Sequence, residues 1–347
     1  MKRVDYPNEF ASWLTINRDC NLRCDMCYAA DQWSSSQDMT LETVEKSLTF
    51  FKGLPLKRVI LIGGEPTVHP DFLTIVKMVK NAGLIPALIT NGIKLANDTF
   101  LANTIASGVS GITISLKGSS DDQYLALAGV KSFQKVKMAI ANVSRSGVNH
   151  SVSVTVGDGL FDDFDRMIDF LLESGTSNVS LDMERPTVSS GQACSSGKTS
   201  AKAMADFFVS TYPKMISSGM DFVIKTSIPF CLFPAGFIEK LKSDHRIVSG
   251  CHIYGGSGLI IDPSGKLLPC NHFCENPLGE LGVDFSIGEE YLAFRKRGDV
   301  TEFYSLISSY PHERCVQCEH WEDCGAGCRI RWLHQDAENL IPSEEGR

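Results

Sequence analysis

Apolar runs of strand length alternate with amphipathic stretches of helix length through the first half of the chain. This alternation constrains the fold more than any other feature. The strand-like runs are 13–17, 58–62, 85–90, 111–116, 151–156 and 178–182. Helical spacing fills the intervals near 41–51, 71–81, 99–107, 133–146 and 161–173. In the last of these, Phe161, Phe164, Ile168, Leu171 and Leu172 form a core-facing stripe. Asp162, Asp163 and Asp165 stand at its start, where acids suit the helix dipole. Strands joined through helices run parallel, so the pattern predicts an α/β fold with a parallel sheet and helices outside it. Active sites in such folds gather at the C-terminal ends of the strands.

The residues with chemistry stand at those ends. Cys20, Cys24 and Cys27 follow the first run in the order C-x-x-x-C-x-x-C. Gly63-Gly64-Glu65-Pro66 follows the second, Asn91-Gly92 the third, and Ser115-Leu116-Lys117 closes the fourth. A structural metal site normally closes every position with protein ligands, whereas a catalytic one keeps a position open. Zinc would want a fourth ligand nearby, and no Cys or His follows the triad until His69. Taken alone, Gly63 to Pro66 reads as a strand-to-loop turn, and Asn91-Gly92 is equally a turn signal.

Together, the cysteine triad and Gly63-Gly64-Glu65-Pro66 resemble the paired marks of the radical S-adenosylmethionine (radical SAM) enzymes. The resemblance implies a partial (β/α)6 barrel and a [4Fe–4S] cluster held by Cys20, Cys24 and Cys27. It further implies that the free iron is chelated by SAM, and that reductive cleavage yields a 5′-deoxyadenosyl radical that removes hydrogen from an unactivated carbon. By the same resemblance, backbone groups at Gly63, Gly64, Glu65 and Pro66 meet the methionyl group. Asn91 shapes the pocket, and Ser115 bonds the SAM carboxylate or ribose. The residue before the last cysteine is usually aromatic in the family. Here it is Met26, with Tyr28 after the cysteine, and a polarizable methionine can also pack on adenine. Lys117 stands where relatives often have Asp, and reads as a solvated lysine or a partner of a substrate carboxylate.

The last third carries a second array: Cys251, Gly265, Cys270, then Cys315, Cys318, Cys324 and Cys328. Thirteen residues separate Cys251 from Gly265 and four separate Gly265 from Cys270. The order resembles the SPASM extension of radical SAM enzymes, except that no cysteine follows Cys328. The resemblance assigns Cys251, Cys270 and Cys328 to one auxiliary iron–sulfur cluster and Cys315, Cys318 and Cys324 to another. Each set then lacks a fourth partner. Cys194, Cys231 and Cys274 are available, and His334 and Asp336 lie where the missing cysteine would fall. Zinc held by Cys315, Cys318, Cys324 and Cys328 is the competing reading. Residues 259–268 read as a β-hairpin that would bring Cys251 and Cys270 together. His252, His272, His312 and His320 flank the array and suit outer-shell hydrogen bonding or ordinary surface placement.

Composition narrows the class. The net charge of −8, with no Lys/Arg cluster, does not support nucleic-acid binding. No apolar run approaches membrane-spanning length, and the start of the chain lacks the apolar segment of a signal peptide. Twelve cysteines in short-spaced groups then fit cluster ligation in a reducing cytoplasm better than disulfides. The expected division is a barrel over 1–190, a linker and helical segment over 191–245, and a cysteine-rich α+β extension over 246–347. SPASM relatives very often modify peptides, so a peptide maturase fed by a flavodoxin or ferredoxin is the first expectation. The second is a small-molecule dehydrogenase, epimerase or decarboxylase. It draws on the short stretch of about a dozen residues before the first strand, which leaves no room for a leader-peptide-binding unit. A non-catalytic zinc or iron–sulfur protein is the third.

Overall fold

The computed structural model describes residues 10–29, 37–186, 188–189, 192–193, 199–251, 256–335 and 337–341. Cys194, His252, Asp336 and the side chain of His334 lie outside the described residues. Six strands follow one another through the first half: β1 (Ala11–Thr15), β2 (Arg58–Ile62), β3 (Ile85–Thr90), β4 (Gly111–Leu116), β5 (Asn149–Val156) and β6 (Val179–Met183). They lie side by side in chain order, and every neighbouring pair is parallel. The crossovers carry α1 (Leu41–Lys52), α2 (Phe72–Asn81), α3 (Asp98–Ser107), α4 (Asp121–Ala128), α5 (Phe133–Ser146) and α6 (Phe164–Glu173).

Each helix presents one apolar stripe to the sheet. In α2 it is Phe72, Ile75, Val76 and Val79, and in α5 it is Phe133, Val136, Ala139, Ile140 and Val143. Leu88 of β3, with Ile112, Ile114 and Leu116 of β4 and Val152, Val154 and Val156 of β5, is buried among these stripes. Alternate positions of the same strands, Thr113 and Ser115, then Ser151, Ser153 and Thr155, are half-buried on the opposite face. Strands covered by packing on both sides read as nearly continuous apolar runs. Small hydroxyls at every second position mark instead a face that lines a cleft.

Several elements differ from the sequence expectation. α6 starts at Phe164, after a 3-10 turn over Asp158–Leu160. Its buried stripe is Phe164, Met167, Ile168 and Leu171, while Leu172 is exposed and Phe161 stacks on Phe207 instead. α4 was not expected, because a Gly/Ser/Asp-rich lead disguised it. Ser120 caps it by accepting from the Gln123 N–H at 3.2 Å. A short antiparallel pair follows β6, formed by β7 (Val188–Ser189) and β8 (Gln192–Ala193).

The segment expected as a linker and helical stretch supplies α7 (Ala201–Ser217), β9 (Phe222–Lys225) and α8 (Phe237–Ser243), and β10 (Ile247–Val248) follows it. β9 joins β6 in parallel, and β10 joins β9. On the other side, β11 (Gly258–Ile261) runs parallel to β1. β12 (Lys266–Leu268) returns antiparallel as the expected hairpin, and β13 (Gly279–Glu280) pairs with β12. Among the described residues one sheet of eleven strands therefore runs from β10 to β13 without closing on itself, the architecture of a partial barrel. Among the described residues no helix is long and apolar enough to cross a membrane.

Candidate active site

The loop after β1 holds Cys20, Cys24 and Cys27, and three neighbouring elements fix it. The Gly64 N–H donates to the Asn17 carbonyl at 3.0 Å, and the Glu65 N–H donates to that of Asp19 at 2.7 Å. The Asn17 amide donates to the Glu65 carbonyl at 2.9 Å. This approach leaves no room for side chains. A Cβ on Gly63 would lie 1.9 Å from Asn17 Oδ1, and one on Gly64 would lie 2.4 Å from the Asp19 carbonyl oxygen. The close approach allowed by the two glycines is thus made to residues 17–19 of the cysteine loop. On the far side, the Arg23 and Asp25 N–H groups donate to the Ala128 and Leu127 carbonyls at the end of α4, at 2.9 and 3.2 Å.

Glu65 ties β2 to β3. Its Oε1 accepts from the Thr67 N–H at 3.1 Å, the Thr67 hydroxyl at 2.6 Å and the Thr90 hydroxyl at 2.7 Å, and its Oε2 accepts from the Asn91 N–H at 2.7 Å. Burial pushes this carboxyl above its ordinary range against the pull of those donors. Pro66 opens a 3-10 turn over Pro66–Val68. Asn91 does two things. Its Oδ1 accepts from the Ile93 N–H at 3.1 Å, closing the turn at Gly92 (φ +81°), and its amide donates to Asn21 Oδ1 at 2.6 Å. The same amide lies 3.9 Å from Cys20 Sγ.

The sulfurs are hydrogen-bond acceptors. The Leu22 N–H donates to Cys20 Sγ and the Ala29 N–H to Cys27 Sγ, both at 3.4 Å. Burial pushes the Cys20 thiol up to about 12, with the Glu65 carboxylate and the other two thiols adding to it. Cys24 is raised by burial, and the Lys117 ammonium opposes this. Lys117 therefore faces the cysteine loop. Buried thiols resist losing their protons to water, and a bound cation offsets that cost. Three thiols, two of them with N–H donors on their sulfurs, fit an iron–sulfur cluster. Tyr28 reaches back over the loop, its hydroxyl donating to the Gly63 carbonyl at 3.3 Å and its ring lying 5.4 Å from that of His272. Met26 is half-buried against the core, and Ser115 lies opposite Ser153 on the polar face of the sheet.

The second array stands beside this end of the sheet. Asp262 in the β11–β12 turn accepts from the Ser264 N–H, the Ser264 hydroxyl and the Lys266 N–H at 2.7–2.9 Å, and pairs with Arg18 at 3.4 Å. The hairpin is thus tied to the residue two places before Cys20. Burial pushes the Cys270 thiol up to about 12, with Cys251 and Cys328 beside it, while the His272 N–H donates to its sulfur at 3.5 Å. Cys315, Cys318 and Cys324 form a second neighbourhood. Among the described residues no disulfide joins two cysteines, and no three His, Cys, Asp or Glu side chains converge as a single metal ion requires.

Some features of the site gave no clear warning in the sequence. Arg331 is fully buried, donating from Nη2 to the Glu184 carbonyl at 2.6 Å, while among the described residues its Nε and Nη1 meet no hydrogen-bond partner. Arg18 is buried, and among the described residues its Nη1 meets none either. Asp182 accepts from Ser153 and Ser180 at 2.6 and 3.1 Å and pairs with Lys225 at 3.5 Å. The Ser/Thr alternation of β4 and β5 was the available signal for this polar face. Desolvation, with Arg185 nearby, holds the His272 imidazole down at about 4, and its Nδ1 lies 3.0 Å from the Pro186 carbonyl. A cavity of about 310 Å³ lined by Ile60, Thr113 and Ser151 lies at the opposite, N-terminal ends of the strands, away from the thiols.

Comparison with known proteins gives a consistent picture. Residues 14–171 match the radical SAM superfamily. The chain is 28% identical over 179 residues to a probable GTP 3′,8-cyclase of Thermococcus kodakarensis, covering 50% of this chain and 56% of that protein. It is 24% identical over 334 residues to the PqqA peptide cyclase of Ruegeria pomeroyi, covering 94% of this chain and 84% of that one. The chain spans little more than half the length of the first curated relatives it matches. Streptococcus suis SuiB bound to S-adenosylmethionine superposes with a TM-score of 0.71 at 16% identity, covering 97% of this chain and 77% of that one. SuiB bound to its precursor peptide SuiA gives 0.70 at 16% identity, covering 98% and 75%.

Proposed function

We propose, from the premise that this chain belongs to the radical SAM superfamily through residues 14–171, that it is a peptide-modifying enzyme with an auxiliary-cluster extension. Residues 1–190 would form the SAM-cleaving unit, 191–245 the segment that continues the sheet, and 246–347 a SPASM-like unit. The observation that carries the reading is the placement of the second thiol group, Cys251, Cys270 and Cys328, beside the same end of the sheet as the triad. When bound, a reduced cluster with S-adenosylmethionine supplies a carbon-centred radical able to take hydrogen from an unactivated C–H.

The chain's own residues do the rest. Cys20, Cys24 and Cys27 hold the first cluster, and Gly63 and Gly64 set the loop's position. Asn91 fixes its far edge through Asn21. Met26 and Tyr28 would hold the adenosyl group, and Ser115 would hydrogen-bond the cofactor. Cys251, Cys270, Cys315, Cys318, Cys324 and Cys328 hold auxiliary iron. The reducing compartment this chemistry needs is the cytoplasm, with a flavodoxin or ferredoxin as electron donor.

The likeness to PqqA peptide cyclase over 94% of this chain supports a peptide substrate. The likeness to a GTP 3′,8-cyclase favours the second reading, a small-molecule enzyme. Anaerobic incubation with SAM, reductant and deuterated candidates separates them. Label passing from a peptide to 5′-deoxyadenosine supports the maturase, and label from a metabolite alone overturns it. Cys24→Ala abolishes 5′-deoxyadenosine formation on either reading, and normal SAM cleavage by that variant would remove the premise.

A further inference from the structure

We propose that Cys231 joins Cys315, Cys318 and Cys324 to complete a four-thiolate site for the second auxiliary cluster. The inference rests on the reading above that this extension carries auxiliary iron.

Cys231 is far upstream of the array in sequence. It sits in the 3-10 turn Phe230–Leu232, on the connection that follows β9. That turn lies against the cysteine segment and is held there on both sides. The Phe230 N–H, one residue before Cys231, donates to Cys324 Sγ at 3.3 Å. The Cys328 N–H donates to the Ser227 carbonyl at 2.9 Å. Gly327 closes the contact. Its φ is +71°, and a Cβ there would lie 2.7 Å from the Ile228 carbonyl carbon. The half-buried Cys231 thiol consequently has Cys324, Cys315 and Cys318 for neighbours.

Of the other candidates, Cys274 acts on Tyr28 together with Cys27 and Cys20, so it stands on the side of the first triad. Cys194, Asp336 and the His334 side chain lie outside the described residues. A zinc ion would need its thiolates at about 2.3 Å from one point. A four-iron cluster takes one thiolate at each corner, which suits a looser gathering. On ligation each thiol gives up its proton, and the cationic irons offset the burial of the resulting charges.

The test compares full-length protein, purified anaerobically and reconstituted with iron and sulfide, with its Cys231→Ala, Cys318→Ala and Cys274→Ala variants. Iron and acid-labile sulfide per chain and Mössbauer spectra are read. The expected result is that Cys231→Ala and Cys318→Ala each lose the iron share of one cluster or convert it to an iron-deficient form, and Cys274→Ala retains that cluster. The change that SAM produces in the EPR signal of the first cluster reports that the variants fold. Alkylation of the wild-type protein supplies a readout independent of folding: Cys231 is protected with Cys315, Cys318 and Cys324 when iron is present, and all four label after chelation. Full iron content and an unchanged spectrum in Cys231→Ala overturn the inference, as does labelling of Cys231 in the loaded protein while the other three stay protected. Wild-type protein holding only the first cluster would instead remove the auxiliary-cluster reading itself, and the inference with it.

Discussion

Gly64 shows how much one missing carbon can determine. Its added Cβ would meet two backbone carbonyl oxygens, Asp19 at 2.4 Å and Arg18 at 2.5 Å, and backbone cannot swing aside as a flexible side chain can. Gly64→Ala is expected to cost about 1–3 kcal/mol and to weaken iron retention by the triad, read by thermal melts and iron content. Glu65 was expected to contribute backbone contacts to a cofactor; its side chain joins two strands. Glu65→Gln places an amide where a buried N–H or hydroxyl needs an acceptor. It is expected to lower stability by roughly 2–4 kcal/mol in denaturant titration. Arg331 carries a buried charge of its own. Its guanidinium donates to the Glu184 carbonyl and faces the Glu184 carboxylate and the Cys328 thiol. Arg331→Met leaves the buried Glu184 charge without that cation and is expected to lower stability by about 3 kcal/mol, read as a downward shift of the thermal midpoint. The spacing of the triad was legible because its three residues share one loop. The roles of Gly64 and Arg331 were not, because each depends on a partner distant in the chain.

Among the elements, α4 shows what local pattern can hide. Ser120 followed by Asp121 and Asp122 is a helix start, yet Gly118 and Ser119 before it masked the signal, and no helix was expected there. The helix matters to the site because its last carbonyls, Leu127 and Ala128, receive the Asp25 and Arg23 N–H groups of the cysteine loop. Ser120→Ala removes the cap and is expected to cost about 1 kcal/mol in denaturant titration. It should also speed amide exchange at Arg23 and Asp25. β2, β3 and β4 were legible to the residue, since each is a short apolar run bounded by turn residues. The start of α6 was misplaced by three residues, because Phe161 continues the helical spacing while packing on Phe207 from the preceding turn.

At the scale of the molecule, the sheet crosses every expected boundary. β1 is flanked by β2 and by β11, and Leu14 and Ile261, opposite one another, are both fully buried. A chain ending at Val248 would leave the β1 edge unpaired and strip cover from its apolar face. Such a truncation is expected to be insoluble or aggregated, where the full chain is expected to elute as a discrete species in size-exclusion chromatography.

The sequence alone determined the parallel α/β order and the two groups of thiols, because both are written in periodicities and spacings a few residues long. Tertiary structure alone decided which strand covers the free side of β1. It likewise decided that Arg18 would meet Asp262 and that Cys231 would lie among Cys315, Cys318 and Cys324. Those pairings join residues far apart in the chain. Their side chains carry no local sign of the partner, and only the folded sheet brings them within reach.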